Sequence, residues 1–177
     1  TCALPISSFL FPGIGYGGSC FPKDVKAMVS FAQQKHYDFR ILKAVEAVNA
    51  SQKTRLFDKM KAHFGSLKGK RIAVWGLAFK PRTDDMREAP SIPLISTLVS
   101  AGAIVQAFDP EAMKVAKGIF GDKVAFASKS YDALKGADCL AILTEWNEFR
   151  RPDFARMQTL MRAPVVFDGR NLFEREQ

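Results

Sequence analysis

A cysteine, a lysine and an aspartate follow closely on a glycine-rich stretch, and their spacing suits nucleophilic chemistry. Pro22 favours the first turn of a helix, so we expect a helix that begins just after Cys20. The positive end of that helix and the neighbouring Lys23 would both favour the reactive thiolate. Asp24 follows Cys20 by one helical turn and can share its face. A buried, inert cysteine is the alternative.

The glycines of this stretch also match a dinucleotide-binding pattern, because Gly13, Gly15 and Gly18 have the spacing G-x-G-x-x-G. That pattern requires a strand directly before it and a helix directly after it. Pro12 is unsuited to a central strand, and the expected helix begins only after further residues. We therefore interpret the glycines as a loop whose bare backbone approaches a ligand closely, and not as an NAD loop.

Helical patterns fill the part of the chain that follows the cysteine. Residues 22–34 continue the first helix, and apolar residues at helical spacing predict a long second helix over 39–64, which Gly65 ends. At 1.5 Å per residue the long helix would extend about 35–40 Å. Such a length suggests a strut between two domains or a dimer contact, with a simple core helix as the alternative.

From residue 70 onward, short apolar strands alternate with helices. Strands are predicted at 71–75, 104–108, 124–127, 139–144 and 164–167, and helices at 91–100, 112–120, 131–135 and 153–161. This alternation is typical of the α/β class with a Rossmann-like, doubly wound parallel sheet. We therefore divide the chain into a helical part with the glycine loop, residues 1–66, and a sheet domain, residues 67–177.

Polar and aromatic side chains collect where the predicted strands end, and doubly wound sheets bind their ligands at that edge. Lys80 and Arg170 are cations that could both reach one phosphate group. Phe79 and Trp146 could face a base ring. Asp109 ends the second strand, as an acid that binds a ribose would. Ordinary loop charges are the alternative explanation.

Composition limits the classes of partner. The 177-residue chain has a net charge of +8 and is 47% apolar, without an apolar run long enough to cross a membrane. The charge forms no dense block and no nucleic-acid motif, so we expect neither a nucleic acid nor a membrane as partner. Three cysteines without a C-x-x-C pair, and histidines without a partner at metal spacing, indicate no disulfide framework and no metal site. A reducing, cytoplasmic location fits this pattern.

Four segments carry a resemblance to a known family: GIGYGGSCFPKD, WGLAFKPRTDDMREAPS, TEWNEF and FDGRN. They resemble the UDP-glucose/GDP-mannose dehydrogenase family over essentially the whole chain, and the last three are closest to its UDP-glucose branch. The family oxidises the C6 alcohol of a nucleotide-sugar to a carboxylate in two hydride transfers to NAD. The resemblance implies UDP-glucose as substrate and UDP-glucuronate as product. GDP-mannose or a UDP-N-acetylhexosamine as substrate, or a nucleotide-binding module without catalysis, are the alternatives.

The resemblance also implies a role for each matching residue. Cys20 would add to the C6 aldehyde as a thiohemiacetal and then hold a thioester, and Asp24 would help to activate the water that hydrolyses it. Lys23 and Arg87 match positions that contact NAD. The positions implied to bind the UDP-sugar are Phe9, Leu10, Phe11, Pro12, Gly13, Gly17, Phe79, Lys80 and Arg170.

The resemblance further implies a homodimer formed through the helix over 39–64. It also implies an amino-terminal NAD-binding domain, with a catalytic lysine and asparagine, that this sequence lacks. We therefore interpret the sequence as a piece of a longer protein and expect it to turn nothing over alone. Release of NADH from UDP-glucose and NAD by this piece would contradict that expectation.

Overall fold

The computed structural model describes residues 12–173, so Phe9, Leu10 and Phe11 lie outside the described residues. Within the described part, the helices are α1 (Phe21–Gln34), α2 (Arg40–Phe64), α3 (Ser91–Ser100), α4 (Met113–Phe120) and α5 (Phe154–Leu160). The strands are β1 (Arg71–Trp75), β2 (Ile104–Phe108), β3 (Ala125–Phe126), β4 (Cys139–Ile142) and β5 (Val166–Asp168). Short 3₁₀ turns cover Gly121–Lys123, Ser130–Leu134 and Asn147–Phe149.

The strands form one parallel sheet in the order β3-β2-β1-β4-β5. The chain runs outward from β1 through β2 to β3, and then returns to the other side of β1 as β4 and β5. This confirms the predicted doubly wound sheet of the α/β class and places its topological switch point between β1 and β4. Strands β3, β4 and β5 are shorter than predicted, and the residues after Ile142 and before Val166 lie outside the strands.

Apolar side chains cover both faces of the sheet, as strands buried on both sides require. On one face, Leu56 and Met60 of α2 pack with Leu94 of α3 against the strands. On the other face, the ring of Trp75 stacks on that of Phe149 with centroids 4.9 Å apart. The carboxyl ends of β1, β4 and β5 are thereby held in fixed positions along one edge.

The long helix α2 begins and ends within one residue of its predicted bounds, and Gly65 follows it with a positive φ of 70°. In its carboxyl-terminal half, Leu56 and Met60 are buried in the sheet core, whereas its amino-terminal half exposes apolar side chains. Ile41 is 73% exposed and Val48 is 67% exposed. Among residues 12–173 there is no helix whose length and hydropathy would let it cross a membrane.

Candidate functional site

The glycine loop, residues 13–18, lies against the ends of the sheet strands. Ile14 is buried in the core, and it approaches Gly169 so closely that a Cβ there would lie 2.7 Å from its Cγ2 atom. A Cβ on Gly13 would lie 2.7 Å from Nη1 of Arg170. Gly169 is therefore required for this contact, because a Cβ there would also lie 2.7 Å from the Ile142 carbonyl oxygen, whereas the end of the Arg170 side chain could move away from a Cβ at Gly13.

Polar side chains of α2 hold the backbone of the same loop. Asn49 is buried, and its amide pairs with both polar groups of the Tyr16 backbone: Tyr16 N–H donates to Oδ1 at 2.8 Å, and Nδ2 donates to the carbonyl at 3.3 Å. Gln52 Nε2 donates to the carbonyl of Gly13 at 2.7 Å. The loop is thus fixed at two points along one face of α2.

The segment after β1, residues 76–90, also contacts the glycine loop. The Gly18 N–H donates to the carbonyl of Arg87 at 2.8 Å. A Cβ on Gly17 would overlap the carbonyl of Glu88, and one on Gly18 would lie 2.8 Å from the Phe79 ring. Gly18 also has a φ of 104°, which side-chain-bearing residues rarely adopt. These contacts explain why two adjacent glycines precede the cysteine.

Cys20 occupies the N-cap position of α1, with Pro22 in the first turn, as predicted. The thiol is exposed, and its Sγ lies 3.6 Å from Oγ of Ser19. The Asp24 N–H donates to the Cys20 carbonyl at 2.9 Å, so the two residues are one helical turn apart. The structure therefore places an accessible thiol and a carboxylate on neighbouring positions of one helix end.

Two exposed cations, Lys23 and Arg87, lie near Cys20: Lys23 follows it in the first turn of α1, and the carbonyl of Arg87 accepts the Gly18 N–H. Lys23 forms an ion pair with Asp24 at 2.5 Å, and this hydrogen bond raises the pKa of the lysine. Arg87 forms a two-pronged ion pair with Asp85, at 2.8 and 3.0 Å, which lowers the pKa of that carboxyl group. Both cations stand beside the thiol and remain open to solvent, so they can meet an anionic ligand there.

The cations predicted at the strand ends flank the glycine loop. Arg170 contacts the loop at Gly13 and forms an ion pair with Glu145, whose Oε2 lies 2.7 Å from the arginine Nε. Lys80 is exposed, with its Nζ 5.3 Å from the centre of the Phe79 ring, and Phe79 contacts the other end of the loop. The structure therefore brings the predicted phosphate-binding groups to the same edge as Cys20.

The prediction that Asp109 faces a ribose is wrong. Its side chain is 1% exposed, and its oxygens accept hydrogen bonds within the protein. The donors are the backbone N–H groups of Leu77, Ala78, Glu111 and Ala112, at 2.6–3.2 Å, and the indole N–H of Trp146 at 3.3 Å. Asp109 thus ties the turn after β1 to the start of α4, and Trp146 supports it while packing against the core.

Three residues that hold the site were missed from the sequence: Asn49, Gln52 and Lys53. Lys53 Nζ donates to the Glu88 carbonyl at 3.0 Å and lies 3.4 Å from its carboxylate. The available signal was a polar interruption of the apolar stripe of α2, between Val48 and Leu56. Within residues 12–173, no three His, Cys, Asp or Glu side chains are grouped so that they could hold a metal ion.

Comparisons with known proteins place the chain in a family. The sequence model for the "UDP-glucose/GDP-mannose dehydrogenase family, UDP binding domain" matches residues 73–175, and that for the central domain of the same family matches residues 4–51. The UDP-glucose 6-dehydrogenase of Pseudomonas aeruginosa is 48% identical over 171 residues, covering 93% of this chain and 38% of that protein. The enzyme TuaD of Bacillus subtilis, also a UDP-glucose 6-dehydrogenase, is 43% identical over 169 residues, covering 96% of this chain and 37% of that protein.

A solved structure gives the same relationship. The UDP-glucose dehydrogenase of the archaeon Pyrobaculum islandicum superimposes with a TM-score of 0.85 at 34% identity, over 93% of this chain and 36% of that one. The chain therefore spans less than two fifths of the length of these relatives. On the match of its sheet domain, its central segment and its fold, the chain belongs to the UDP-glucose/GDP-mannose dehydrogenase family.

Proposed function

We propose that this chain is the carboxyl-terminal part of an NAD-dependent UDP-glucose 6-dehydrogenase, which oxidises UDP-glucose to UDP-glucuronate with Cys20 as the covalent nucleophile. The observation that carries the proposal is the exposed Cys20 at the start of α1, held beside cationic strand ends by the glycine loop. Within this enzyme, residues 1–66 would supply the nucleophile and the dimer contact, and residues 67–177 would supply the UDP site.

The chemistry assigned to Cys20 follows from its thiolate. The sulfur adds to the C6 aldehyde of the oxidised sugar, and the carbonyl oxygen takes up a proton, which gives a thiohemiacetal. Loss of a hydride from C6, together with release of the hydroxyl proton to solvent, gives a thioester. Asp24 accepts a proton from a water molecule as that water attacks the thioester, which releases the carboxylate and returns the thiol. Covalent attachment keeps the reactive aldehyde from diffusing away between the two oxidations.

We assign the cofactor contacts of this chain to Lys23 and Arg87. Both are solvent-accessible cations beside the thiol, which suits the pyrophosphate of NAD. Bound NAD would supply the hydride acceptor for both oxidations. The turn after β1 is a poor alternative place for it, because the Asp109 carboxylate already binds the N–H groups that a dinucleotide phosphate would need.

We assign the UDP part of the substrate to the strand ends. Lys80 and Arg170 would bind the diphosphate from opposite ends of the glycine loop, and Phe79 would contact the nucleotide between them. The sugar would lie along the loop that leads to Cys20. The loop positions assigned to it are Phe9, Leu10, Phe11, Pro12, Gly13 and Gly17, of which the last three are described.

Calorimetric titration of the chain with UDP-glucose, UDP and GDP tests this assignment. We expect binding of both uridine ligands, weakened about tenfold or more when Lys80→Ala removes a charge-assisted contact to the diphosphate. Lys117→Ala is the matched control, because Lys117 of α4 also stands over a phenylalanine ring, that of Phe126 at 6.0 Å, but is not among the residues assigned to the UDP contacts. Tighter binding of GDP would favour the GDP-mannose alternative, and no binding of any of the three would contradict a UDP site in this chain.

We also propose that the enzyme is a homodimer formed through α2. An apolar groove of about 490 Å³ runs along the amino-terminal half of this helix, lined mainly by Ile41, Val45 and Val48. A second copy of the same helix would bury these side chains and so remove apolar surface from water. Val48→Asp in the full-length protein should therefore yield monomers by light scattering. Ile119→Asp, at an exposed position of α4, should leave the dimer intact, and an unchanged dimer in Val48→Asp would contradict the proposal.

A further inference from the structure

Glu88 lies where three segments meet. Its carboxylate accepts a hydrogen bond from Lys26 of α1 at 2.6 Å and lies 3.4 Å from Nζ of Lys53 of α2. Its carbonyl accepts a second bond from Lys53, at 3.0 Å, and is the group against which Gly17 is packed. One residue after β1 therefore contacts the helix that bears Cys20, the long helix and the glycine loop.

The backbone of Glu88 is in an unfavourable conformation. Its φ of 54° is in the left-handed region, which glycine adopts readily and side-chain-bearing residues adopt at a cost. Glycine would fit this backbone better, but it would supply no carboxylate. The two lysines account for the glutamate: the bond from Lys26 lowers the pKa of Glu88 and raises that of Lys26, so both groups stay charged at neutral pH.

Two contacts attach α1 and the loop that leads into it to the segment after β1. The first is near the cysteine, where the Gly18 N–H donates to the carbonyl of Arg87. The second is the bond from Lys26 to Glu88, about 9 Å further along the helix axis at 1.5 Å per residue. A rod attached at one point can pivot, whereas two points also fix its direction. Loss of the second point would therefore let the start of α1, and Cys20 with it, shift relative to the strand ends.

We propose that Glu88 is a positioning residue: through Lys26 and Lys53 it sets the place of Cys20 relative to the UDP-binding strand ends. The proposal rests on the proposed function, because it concerns the approach of the thiol to C6 of a bound sugar. A nucleophile must lie close to its target in the right direction, and an error of about 1 Å can cost a hundredfold in rate. Both side chains of the Lys26–Glu88 pair are half-exposed, so the pair contributes little to stability.

The test compares variants of the full-length protein. Glu88→Gln, and equally Glu88→Gly, should lower kcat about tenfold or more while the KM for UDP-glucose stays within about twofold, because the thiol and not the UDP site is displaced. Glu88→Gly relaxes the backbone, so its melting temperature should not fall. Lys26→Met should reproduce the loss of kcat, and Lys26→Arg should preserve activity. Asp132→Asn is the matched control, since Asp132 forms an ion pair of 2.7 Å with Lys135 away from the site.

A double-mutant cycle completes the test. If Glu88 acts through Lys26, then Lys26→Met combined with Glu88→Gln should lower kcat no more than either change alone. Additive losses, an unchanged kcat in Glu88→Gly, or a loss that follows melting temperature across the variants would overturn the inference. Failure of the proposed function has a different signature, because it would appear in the wild-type protein as a lack of UDP binding or as turnover that survives without Cys20.

Discussion

Replacing Cys20 with serine in the full-length enzyme should lower the rate of NADH production by about a thousandfold or more, as losses of covalent nucleophiles do. A serine hydroxyl is a far weaker nucleophile than a thiolate unless a base activates it, and within residues 12–173 the polar side chain in contact with the Cys20 thiol is that of Ser19 and not a histidine. UDP-glucose should still bind, because the diphosphate contacts assigned to Lys80 and Arg170 are unchanged. Steady-state kinetics together with calorimetry separate the two effects.

Cys139 provides the control for that experiment. It lies fully buried in β4, and burial, with a contribution from the charge of Asp138, raises its pKa to about 12. It therefore carries almost no thiolate at neutral pH, and iodoacetamide should modify Cys20 in the folded protein while leaving Cys139 intact. Cys139→Ala should retain kcat. Activity near wild type in Cys20→Ser would refute the covalent mechanism.

Gly17→Ala should have the largest effect of any single added methyl group in the glycine loop. The new Cβ would overlap the Glu88 carbonyl and crowd the Cα of Ala89, and neither backbone atom can rotate away. Either the loop or the segment after β1 must move, so Cys20 is displaced. We expect a fall in kcat on the order of a hundredfold, the cost of a misplacement of about 1 Å.

Gly118→Ala is the matched control, because it adds the same methyl group in α4, where nothing lies within 4 Å of the new atom. There the alanine should leave kcat unchanged and stabilise the protein by about 0.5–1 kcal/mol through helix propensity. Kinetics and thermal unfolding on both variants distinguish a local clash from a general effect of the substitution. Equal kcat values for the two variants would show that the close contact at Gly17 has no bearing on catalysis.

The architecture was accessible from the sequence because it follows from local patterns. Alternation of strands and helices predicted the doubly wound sheet, and Pro22 directly after a cysteine predicted the start of α1. The one-turn spacing of Cys20 and Asp24 needed no tertiary information. Strands β1 and β2 match their predicted bounds, whereas β3, β4 and β5 are shorter than predicted.

The supports of the site were not accessible in the same way. Glu88 contacts Lys26 across 62 positions of sequence, and Asn49 contacts Tyr16 across 33, so no local pattern records either pair. Asp109 failed as a prediction for a related reason. Its place at the end of β2 was identified correctly, but the partner of its carboxylate depended on where the turn after β1 directs its N–H groups.

The oxygens of the Asp109 carboxylate already accept hydrogen bonds from within the protein, and this has a consequence for folding. In nucleotide-binding sheets the N–H groups at the first turn and at a helix start are commonly neutralised by a phosphate. Here an internal anion performs that task for the turn after β1 and for the start of α4. The sheet carries its own counter-charge, so these N–H groups are satisfied without a phosphate, and folding of this edge should not depend on a bound nucleotide.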